Sequence, residues 1–484
     1  MSQPSVKANY LYNISYQILT LLTPFITTPY ISRVLGADGV GIYSYTSSII
    51  AYFSIFAVLG TAEYGTREVA RLRNDKVAVS KAFWEIQVIV FTASAICLLG
   101  WLILSFSSIQ YKYYLLALTP TLIATSLNIS WFFIGLEKVG YTVLRNAICK
   151  IIGVVCLFLF VKDKGDLGIY IWINSIILLL GNLSMWTYIP KLVDRIPLKK
   201  LLFRKHLRET LTYFVITISI SLYTVLDKIL IGYITNDNSQ NGYYEQANKI
   251  ITLIKNMSFV ALNGIMSARL SFLFAQNKKD EIKIRIKRSI DFNFLLVFFF
   301  IFVICSVANN FVPIFFGSGY NPVVSILCLM TPLLFFISIS TTLGSHYYIP
   351  SNQIKKCTYI TVVGSILNLF VNILLIPKFA AIGAVIGSII GEGFIAVVYV
   401  IKAKAVIDYK LIFKLSYKRF LAGVLMLVIA HLISKISYLQ PFTILMAQIA
   451  GSAFVYFISL WLMKDDMIAE LVNLFFQKIG LNKN

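Results

Sequence analysis

Charged side chains inside apolar stretches are the residues of this sequence that could do chemistry. Lys249, Lys255 and Arg269 lie in one mainly apolar segment, where no equal number of acids faces them. A charge at the centre of a membrane costs about 2.5–3.5 kcal/mol on insertion scales, so such residues need partners or water. A surplus of cations around water attracts an anion, and Lys or Arg suits phosphate. The segment therefore predicts an anion-binding cavity.

Polar residues share one face of this segment if it forms a helix. At about 100° per residue they fall within about 60° of one line. They are Glu245, Lys249, Thr252, Asn256, Asn263 and Ser267. Hydrogen bonds between packed helices would account for Thr252 or Ser267 alone. They account poorly for the cations, so we interpret the face as the lining of a water-filled cavity.

Acids and further cations inside apolar segments are candidates for ion pairing or for coupling to an ion. They are Asp227, Lys228, Glu245 and Glu392. A structural ion pair and a coupling site for Na⁺ or H⁺ are both open for Asp227, and Glu392 stands alone between two glycines. No other cofactor, no metal and no catalytic residue is predicted, because the six cysteines and three histidines are dispersed.

Composition places these residues in a membrane protein. Of the 484 residues, 58% are hydrophobic and 13% are charged, which leaves too little polar surface for a soluble protein. The formal net charge is +22, which would suggest nucleic acid in a soluble domain. Here it indicates loop charges that set topology and attract anionic headgroups. We expect membrane lipids as partners and no nucleic acid.

Windows of about 20 apolar residues predict about fourteen membrane-spanning helices. Their approximate bounds are 11–32, 41–62, 83–106, 113–136, 141–161, 168–190, 209–234, 246–273, 290–313, 322–349, 356–377, 381–401, 420–437 and 442–463. With the N-terminus inside, the predicted cytoplasmic pieces hold 32 Lys and Arg residues, and the outer pieces hold 6. Cytoplasmic loops carry such an excess. Both termini are therefore predicted to be cytoplasmic.

The helices divide into two lobes of six with parallel topology. Gly41-x-Tyr43 follows the first span and matches Gly242-x-Tyr244 after the seventh, at an offset of 201 residues. Six spans per half imply an axis along the membrane normal. The predicted regions are an N-terminal lobe at 1–190 (helices 1–6), a basic cytoplasmic linker at 191–208, a C-terminal lobe at 209–401 (helices 7–12), and helices 13 and 14 with the tail at 402–484.

Several motifs occur in order between residues 8 and 400. They are Pro29-Tyr30-Ile31-Ser32-Arg33-Val34-Leu35-Gly36, Ile129-Ser130-Trp131-Phe132-Phe133-Ile134-Gly135-Leu136-Glu137, Val225-Leu226-Asp227-Lys228-Ile229-Leu230-Ile231-Gly232, Gly242-Tyr243-Tyr244-Glu245-Gln246, and Leu374-Leu375-Ile376-Pro377-Lys378 followed by Gly383-Ala384. Together they resemble the Wzx-type polysaccharide flippases of the multidrug/oligosaccharidyl-lipid/polysaccharide (MOP) exporter superfamily. Asn128, Ala268 and His346 depart from the pattern, where Asp, Pro and Gln are frequent.

The resemblance implies two lobes around a central cationic cavity, working by alternating access in the bacterial plasma membrane. The cargo it implies is a polyprenyl-diphosphate-linked oligosaccharide, moved from the inner to the outer leaflet for capsule, exopolysaccharide or related cell-surface glycan synthesis. Glycan polymerase and glycosyltransferases would be further partners. The residues expected at the diphosphate are Lys249, Lys255, Arg269 and Arg33. The residues expected at the sugars are Tyr43, Tyr244, Gln246 and Asn256.

Two alternatives stay open. A small-molecule or drug exporter of the same superfamily would have the same fold, but an exporter of cations should carry acids in its cavity. A membrane glycan polymerase or glycosyltransferase belongs to another class and needs a large extramembrane loop or an acidic D-x-D motif. The sequence has neither feature, so we predict a transporter that is not an enzyme.

Overall fold

The computed structural model describes residues 6–197, 201–404, 406–407, 409–436 and 440–479. Every regular element among them is a helix. Helices satisfy their own backbone hydrogen bonds, as a membrane requires. This confirms the predicted fold class, an all-α polytopic membrane protein. The chain divides into two compact units, Met1–Gly242 and Tyr243–Asn484.

The first unit contains helices α1 to α10 and the start of α11. Their bounds are α1 Val6–Val58, α2 Thr61–Leu72, α3 Lys76–Ser107, α4 Lys112–Ser126, α5 Ser130–Gly135, α6 Val139–Phe160, α7 Leu167–Ser184, α8 Ile189–Leu192, α9 Phe203–Thr224, α10 Leu226–Thr235 and α11 Asn238–Lys255. Local sequence explains several ends. Asp75 caps α3, for example, because its side chain accepts hydrogen bonds from two backbone N–H groups of the first turn.

Helix α1 contains two predicted spans, 11–32 and 41–62. Between them Gly36 has φ 70° and ψ 178°, which is not helical. Gly adopts this conformation readily because it has no Cβ. The first two predicted spans therefore follow each other directly, with a one-residue break instead of a loop.

Apolar packing among the described residues of the first unit includes two clusters. One joins α1, α3, α4, α6 and α7. The other is aromatic, with Phe83, Trp131 and Phe132 in mutual contact. Gly65 permits this packing, because a Cβ there would lie 2.5 Å from the Trp131 ring. The Trp-Phe-Phe motif noted in the sequence thus has a structural role.

Helices α9 and α10 correspond to the predicted seventh span, 209–234. In the structure α9 contacts α2 and α3, and α10 contacts α1. The compact unit therefore ends at Gly242, beyond the predicted linker at 191–208. The lobe boundaries drawn from the sequence repeat stay a prediction, since packing and repeat symmetry need not divide a chain at the same point.

The second unit contains the rest of α11 and seven more helices among the described residues. Their bounds are α12 Ala261–Ala275, α13 Lys279–Phe316, α14 Pro322–Leu343, α15 Ile354–Lys402, α16 Tyr409–Ser434, α17 Pro441–Leu462 and α18 Asp466–Ile479. Two π-helical turns, Asn256–Val260 and Gly344–Tyr348, interrupt the regular α pattern. Helix α13 is central to this unit, because it packs against α14, α16 and α17.

Helix α15 contains the predicted spans 356–377 and 381–401 and breaks at Ala380. Ala380 has φ 48° and ψ −126°, a left-handed conformation that is costly for a residue with a Cβ. The second half of the helix packs closely against the first. A Cβ on Gly387 would lie 2.0 Å from Asn372 Oδ1, and one on Gly391 would lie 2.9 Å from Asn368 Cβ.

Nine helical segments among the described residues are long and apolar enough to cross a membrane. Two of them, Leu19–Leu72 and Ile354–Lys402, each contain two predicted spans. The predicted spans 209–234, 246–273 and 420–437 have no counterpart among the nine. A multi-pass membrane protein is confirmed, while the count of fourteen and the cytoplasmic placement of both termini stay predictions.

Candidate functional site

Lys249 lies one helical turn after Glu245 on α11. Lys249 Nζ is 3.8 Å from Glu245 Oε1, and 30% of the lysine side chain is exposed. Glu before Lys at this spacing is a favourable helical pair. The pair accounts for the first two residues of the polar face that the sequence predicts. The lysine side chain nevertheless stays partly exposed.

The π-helical turn Asn256–Val260 follows immediately after Lys255. A π-turn holds one more residue than an α-turn, so it displaces the following side chains by about one residue position, or about 100°. The uniform helix assumed from the sequence is therefore wrong beyond Asn256. The predicted polar face holds from Glu245 to Asn256, and Ser267 is no longer in line with it. The side chain of Asn263 lies outside the described residues.

Arg269 lies near the end of α12, away from the other two cations. Fourteen residues separate it from Lys255, or about 20 Å along a helix axis. Its guanidinium lies 3.9 Å from Glu281 Oε1 and stands over the Phe272 ring, 5.6 Å from the centroid. The structure therefore does not gather Lys249, Lys255 and Arg269 into one cluster. Arg269 belongs to a separate group at the junction of α12 and α13.

Glu392 is buried in the second half of α15 and is not isolated. Its Oε2 accepts a hydrogen bond from Ser340 Oγ on α14 at 3.2 Å. Lys255 on α11 lies near enough to interact with it electrostatically. Three helices thus meet at one charged group deep in the second unit. The sequence could not predict this meeting, because 137 residues separate the lysine from the glutamate.

The site candidates of the first unit are spread over α1 and α10. Arg33 is exposed, whereas Asp227 is buried with 1% exposure and Lys228 is half-buried. Tyr43 packs edge-on against Tyr170, with 4.9 Å between ring centroids. The Lys228 carbonyl oxygen accepts a hydrogen bond from Asn241 Nδ2 at 2.7 Å. These contacts tie α10 to the start of α11.

The residues predicted to meet sugars differ in accessibility. Tyr244 and Gln246 are buried, Tyr43 is half-buried, and Asn256 is exposed beside the π-helical turn. In this conformation Asn256 is the most accessible of the four. The other three would have to become accessible before they could contact a cargo.

The two glycines matched in the sequence repeat, Gly41 and Gly242, lie at one helix crossing. A Cβ on Gly41 would lie 1.7 Å from Asn238 O, and one on Gly242 would lie 2.0 Å from Ala37 O. Only glycine allows backbones to approach this closely. The crossing therefore holds the first turn of α11 against α1 within the first unit.

Sequence reasoning missed a buried polar network in the first unit. His206 Nε2 lies 2.7 Å from Glu85 Oε2, and Tyr64 OH lies 2.7 Å from His206 Nδ1. The other carboxylate oxygen of Glu85 accepts a hydrogen bond from Leu202 N at 2.6 Å. The network holds the start of α9 against α2 and α3. Its one signal in the sequence was a histidine within the basic linker.

A second missed group surrounds Arg419 on α16. Its guanidinium pairs with Asp291 on α13 and lies 3.2 Å from Asp465 Oδ1, and the side chain is 1% exposed. Asp465 also caps α18 through the N–H groups of Met467 and Ile468. The sequence predicts no role for Arg419 beyond the positive charge of a cytoplasmic loop between the predicted spans 381–401 and 420–437. In the structure it joins three helices.

Lys150 on α6 is a further cation in a predicted span. Its side chain is half-buried, and no ion pair within 4 Å is found for it among the described residues. Arg145, earlier on the same helix, donates to the Gly181 carbonyl oxygen at 2.6 Å. The described part of the chain holds no group of three or more His, Cys, Asp or Glu residues that could bind a metal.

Comparison with known families identifies the chain. The sequence model described as "Polysaccharide biosynthesis protein" matches residues 6–266, more than half of the chain. The protein belongs to this family. Among curated proteins, this family member is 26% identical over 390 residues to the "Putative O-antigen transporter" of Escherichia coli (strain K12), covering 79% of this chain and 92% of that protein. A second "Putative O-antigen transporter", from Shigella dysenteriae, is 24% identical over 390 residues, with 79% and 96% covered.

Solved structures share the fold of this polysaccharide biosynthesis family member. "Lipid II flippase MurJ, inward closed conformation" matches with a TM-score of 0.74 at 17% identity, covering 95% of this chain and 99% of that one. An inward-facing multidrug resistance MATE transporter of the MOP superfamily matches with a TM-score of 0.59 at 12% identity, covering 87% and 96%. The family match and the shared fold agree with the resemblance found in the sequence. The curated relatives and both solved structures are named as transporters or flippases, which agrees with the prediction of a transporter.

Proposed function

We propose that the protein is a flippase that moves a polyprenyl-diphosphate-linked oligosaccharide from the inner to the outer leaflet of a bacterial plasma membrane. The observation that carries this proposal is the pair of cations on α11, where Lys249 is 30% exposed and Lys255 is half-buried. Cations in a membrane segment suit a phosphate ligand. Membership of the polysaccharide biosynthesis family supports a glycan as the rest of the cargo.

In this proposal the cations contact the diphosphate at different points of its route across the membrane. Lys249 and Lys255 hold the diphosphate within the membrane. Arg269 and Arg33 attract it at two other points, because neither belongs to the α11 group. Asn256 contacts the sugars beside the π-turn, and Tyr43, Tyr244 and Gln246 join it once alternating access exposes them.

Asp227 and Glu392 are our candidates for coupling to Na⁺ or H⁺. Both are carboxylates buried inside apolar helices, where a charge is costly without a partner. Lys228 and Glu245 are the neighbouring ion-pair candidates. An outward-moving anion is also helped by an inside-negative potential, by about 2.3 kcal/mol per charge per 100 mV.

The biological setting follows from the same chemistry. We place both termini in the cytoplasm, because the Lys and Arg residues lie mainly in the predicted inner loops. The glycan would serve capsule, exopolysaccharide or related cell-surface polymer synthesis. Glycosyltransferases would make the cargo, and a glycan polymerase would consume it.

The test is flipping in reconstituted vesicles. A polyprenyl-diphosphate oligosaccharide with a fluorescent sugar is followed by quenching from outside. The double variant Lys249→Gln/Lys255→Gln should slow flipping at least tenfold. The control Lys355→Gln/Lys356→Gln removes the same charge from exposed positions at the start of α15 and should flip normally.

Two results would contradict the proposal. Unchanged flipping in the Lys249/Lys255 variant would contradict the proposal that these lysines bind the diphosphate. Transport of a cationic dye by the unmodified protein, without movement of the lipid-linked sugar, would favour the drug-exporter alternative.

A further inference from the structure

The outward face of α16 changes character along its length. From Phe420 to Leu432 the exposed residues are large and apolar except for His431, as on a lipid-facing helix. The apolar ones are Phe420, Leu421, Val424, Leu425, Val428 and Leu432. Its first turns instead expose three aromatic–lysine pairs. These are Tyr409-Lys410, Phe413-Lys414 and Tyr417-Lys418, which we call the aromatic–lysine stripe.

The stripe repeats every four residues, so its members stack along one side of the helix. At about 100° per residue, the aromatic side chains lie within about 80° of each other, and the lysines occupy the next 80° or so. Both sectors overlap the exposed apolar face that follows. Tyr409, Phe413 and Tyr417 are 65%, 74% and 42% exposed. Phe413 and Tyr417 stack nearly parallel, with 6.4 Å between centroids.

A small pocket of about 50 Å³ opens beside the stripe. Lys414, Tyr417 and Lys418 line it together with Leu415 and the Arg419 group. Two of its acids, Asp291 and Asp465, already pair with Arg419, and Asp466 is exposed in the first turn of α18. The pocket therefore presents the exposed Lys414, the half-buried Lys418 and one exposed carboxylate.

Donor groups in this pocket remain available for an acceptor. Arg419 is 1% exposed, and its Nε has no hydrogen-bond partner among the described residues. Lys418 Nζ donates to the Lys464 carbonyl oxygen at 2.8 Å, which uses one of three N–H bonds. No partner is found for Lys414 in the described part of the chain. Such donors suit a phosphate oxygen.

We propose that the aromatic–lysine stripe binds the headgroup of an anionic phospholipid, with its phosphate beside Lys414 and Lys418. Aromatic rings favour the boundary between headgroups and acyl chains. Lysines next to a membrane surface attract anionic lipid. The apolar face that continues the stripe from Phe420 onward gives the acyl chains a surface to lie on. A lipid uses all three features together, whereas free phosphate would use only the lysines.

The chain offers a matched control on α13. Lys279, Lys283 and Lys287 have the same four-residue spacing and are all exposed. Their preceding neighbours are Lys278, Ile282 and Ile286, so no aromatic residue pairs with them. Replacing either set with Gln removes three charges. Only the α16 set lies beside the pocket and the exposed apolar face.

The experiment is native mass spectrometry of the purified full-length protein with added phosphatidylglycerol. The unmodified protein should retain about one bound phosphatidylglycerol, and Lys410→Gln/Lys414→Gln/Lys418→Gln should weaken this binding at least tenfold. The α13 triple variant should bind like the unmodified protein. Phe413→Ala should weaken binding severalfold without altering charge.

Each contrary outcome overturns the proposal. Equal loss in both triple variants would mean general charge attraction. Retained binding in the α16 variant would place the lipid elsewhere. Equal binding of phosphatidylethanolamine would mean that the stripe is an apolar anchor without anion selectivity. Displacement by millimolar inorganic phosphate would mean a site for the free ion. None of these readouts depends on flipping, so they stand apart from the proposed function.

Discussion

Two charged groups in the second unit show how differently a membrane protein can hold a cation. Arg419 is 1% exposed, contacts two carboxylates, and donates to the Asp291 carbonyl oxygen at 2.7 Å. Lys249 is 30% exposed and lies 3.8 Å from one carboxylate, beyond hydrogen-bond distance. The first cation is buried and compensated by two carboxylates, whereas the second keeps part of its side chain exposed.

This difference distinguishes charges that stabilise the fold from charges that can bind a ligand. A buried cation with several short contacts gives the fold a defined junction, and removing one partner leaves the others uncompensated. A cation whose side chain is partly exposed can meet a ligand without the surrounding helices first separating. On this basis we expect Arg419 variants to lose stability and α11 lysine variants to lose transport.

The largest effect should come from Arg419→Met. It leaves Asp291 and Asp465 buried without their cation, which should destabilise the protein by about 3–5 kcal/mol. Thermal unfolding in detergent measures this as a large fall in Tm. Lys414→Met on the same helix is exposed and should change the free energy of unfolding by no more than about 0.5 kcal/mol. Equal falls in Tm for the two variants would contradict a structural role for Arg419.

A smaller loss should follow from Gly41→Ala. The new methyl group would lie 1.7 Å from Asn238 O, so the α1–α11 crossing must open. Overpacking of this kind costs about 1–3 kcal/mol. Gly165→Ala has nothing within 4 Å and is the matched control for thermal unfolding. If both variants unfold alike, the crossing does not require glycine.

Glu85→Gln should cost about 1 kcal/mol, because the amide can satisfy only part of the hydrogen bonding of the carboxylate with His206 and Leu202. The measurement is again thermal unfolding. Glu470→Gln breaks an exposed pair with Arg288 and should change stability less, since surface pairs contribute about 0–1 kcal/mol. A larger loss in the surface variant would contradict a structural role for the buried network.

The smallest change in stability should accompany Lys255→Gln. Glu392 keeps its hydrogen bond from Ser340, so we expect a change below about 1 kcal/mol. Flipping should fall severalfold at the same time, as measured in vesicles. A variant that unfolds readily and still flips would reverse the assignment of roles.

Much of the fold was predictable because hydropathy and charge asymmetry are local properties. The apolar runs on either side of Gly36 and of Ala380 predicted two spans in each of α1 and α15. They did not predict how each pair is joined. Gly36 could be suspected as a break, since Gly tolerates a left-handed conformation. Ala380 could not, because its conformation is imposed by the packing of the two halves of α15.

The charged site was less predictable, because its geometry depends on distant parts of the chain. The sequence singled out Lys249, Lys255 and Arg269 as unusual residues, but a uniform helix placed them on related lines. The π-turn after Lys255 shifts the side chains that follow it by about one residue position. No local sequence pattern predicts this turn. Glu392 looked isolated only because Lys255 and Ser340 come from other helices. Arg419 looked like a loop charge for the same reason.

The π-helical turn between Lys255 and Arg269 has a mechanical consequence. The turn contains one residue more than an α-helical turn, within a helix that is otherwise regular. If the turn tightened into α geometry, everything after Val260 would rotate by about 100° relative to Lys255, while the helix lengthened by only about 1.5 Å. A second such turn, at Gly344–Tyr348, packs against the same helix, α12. Helix α12, which carries Arg269, thus follows one π-helical turn in the chain and packs against another. A small change in the hydrogen bonding of such a turn produces a large rotation of the residues that follow it.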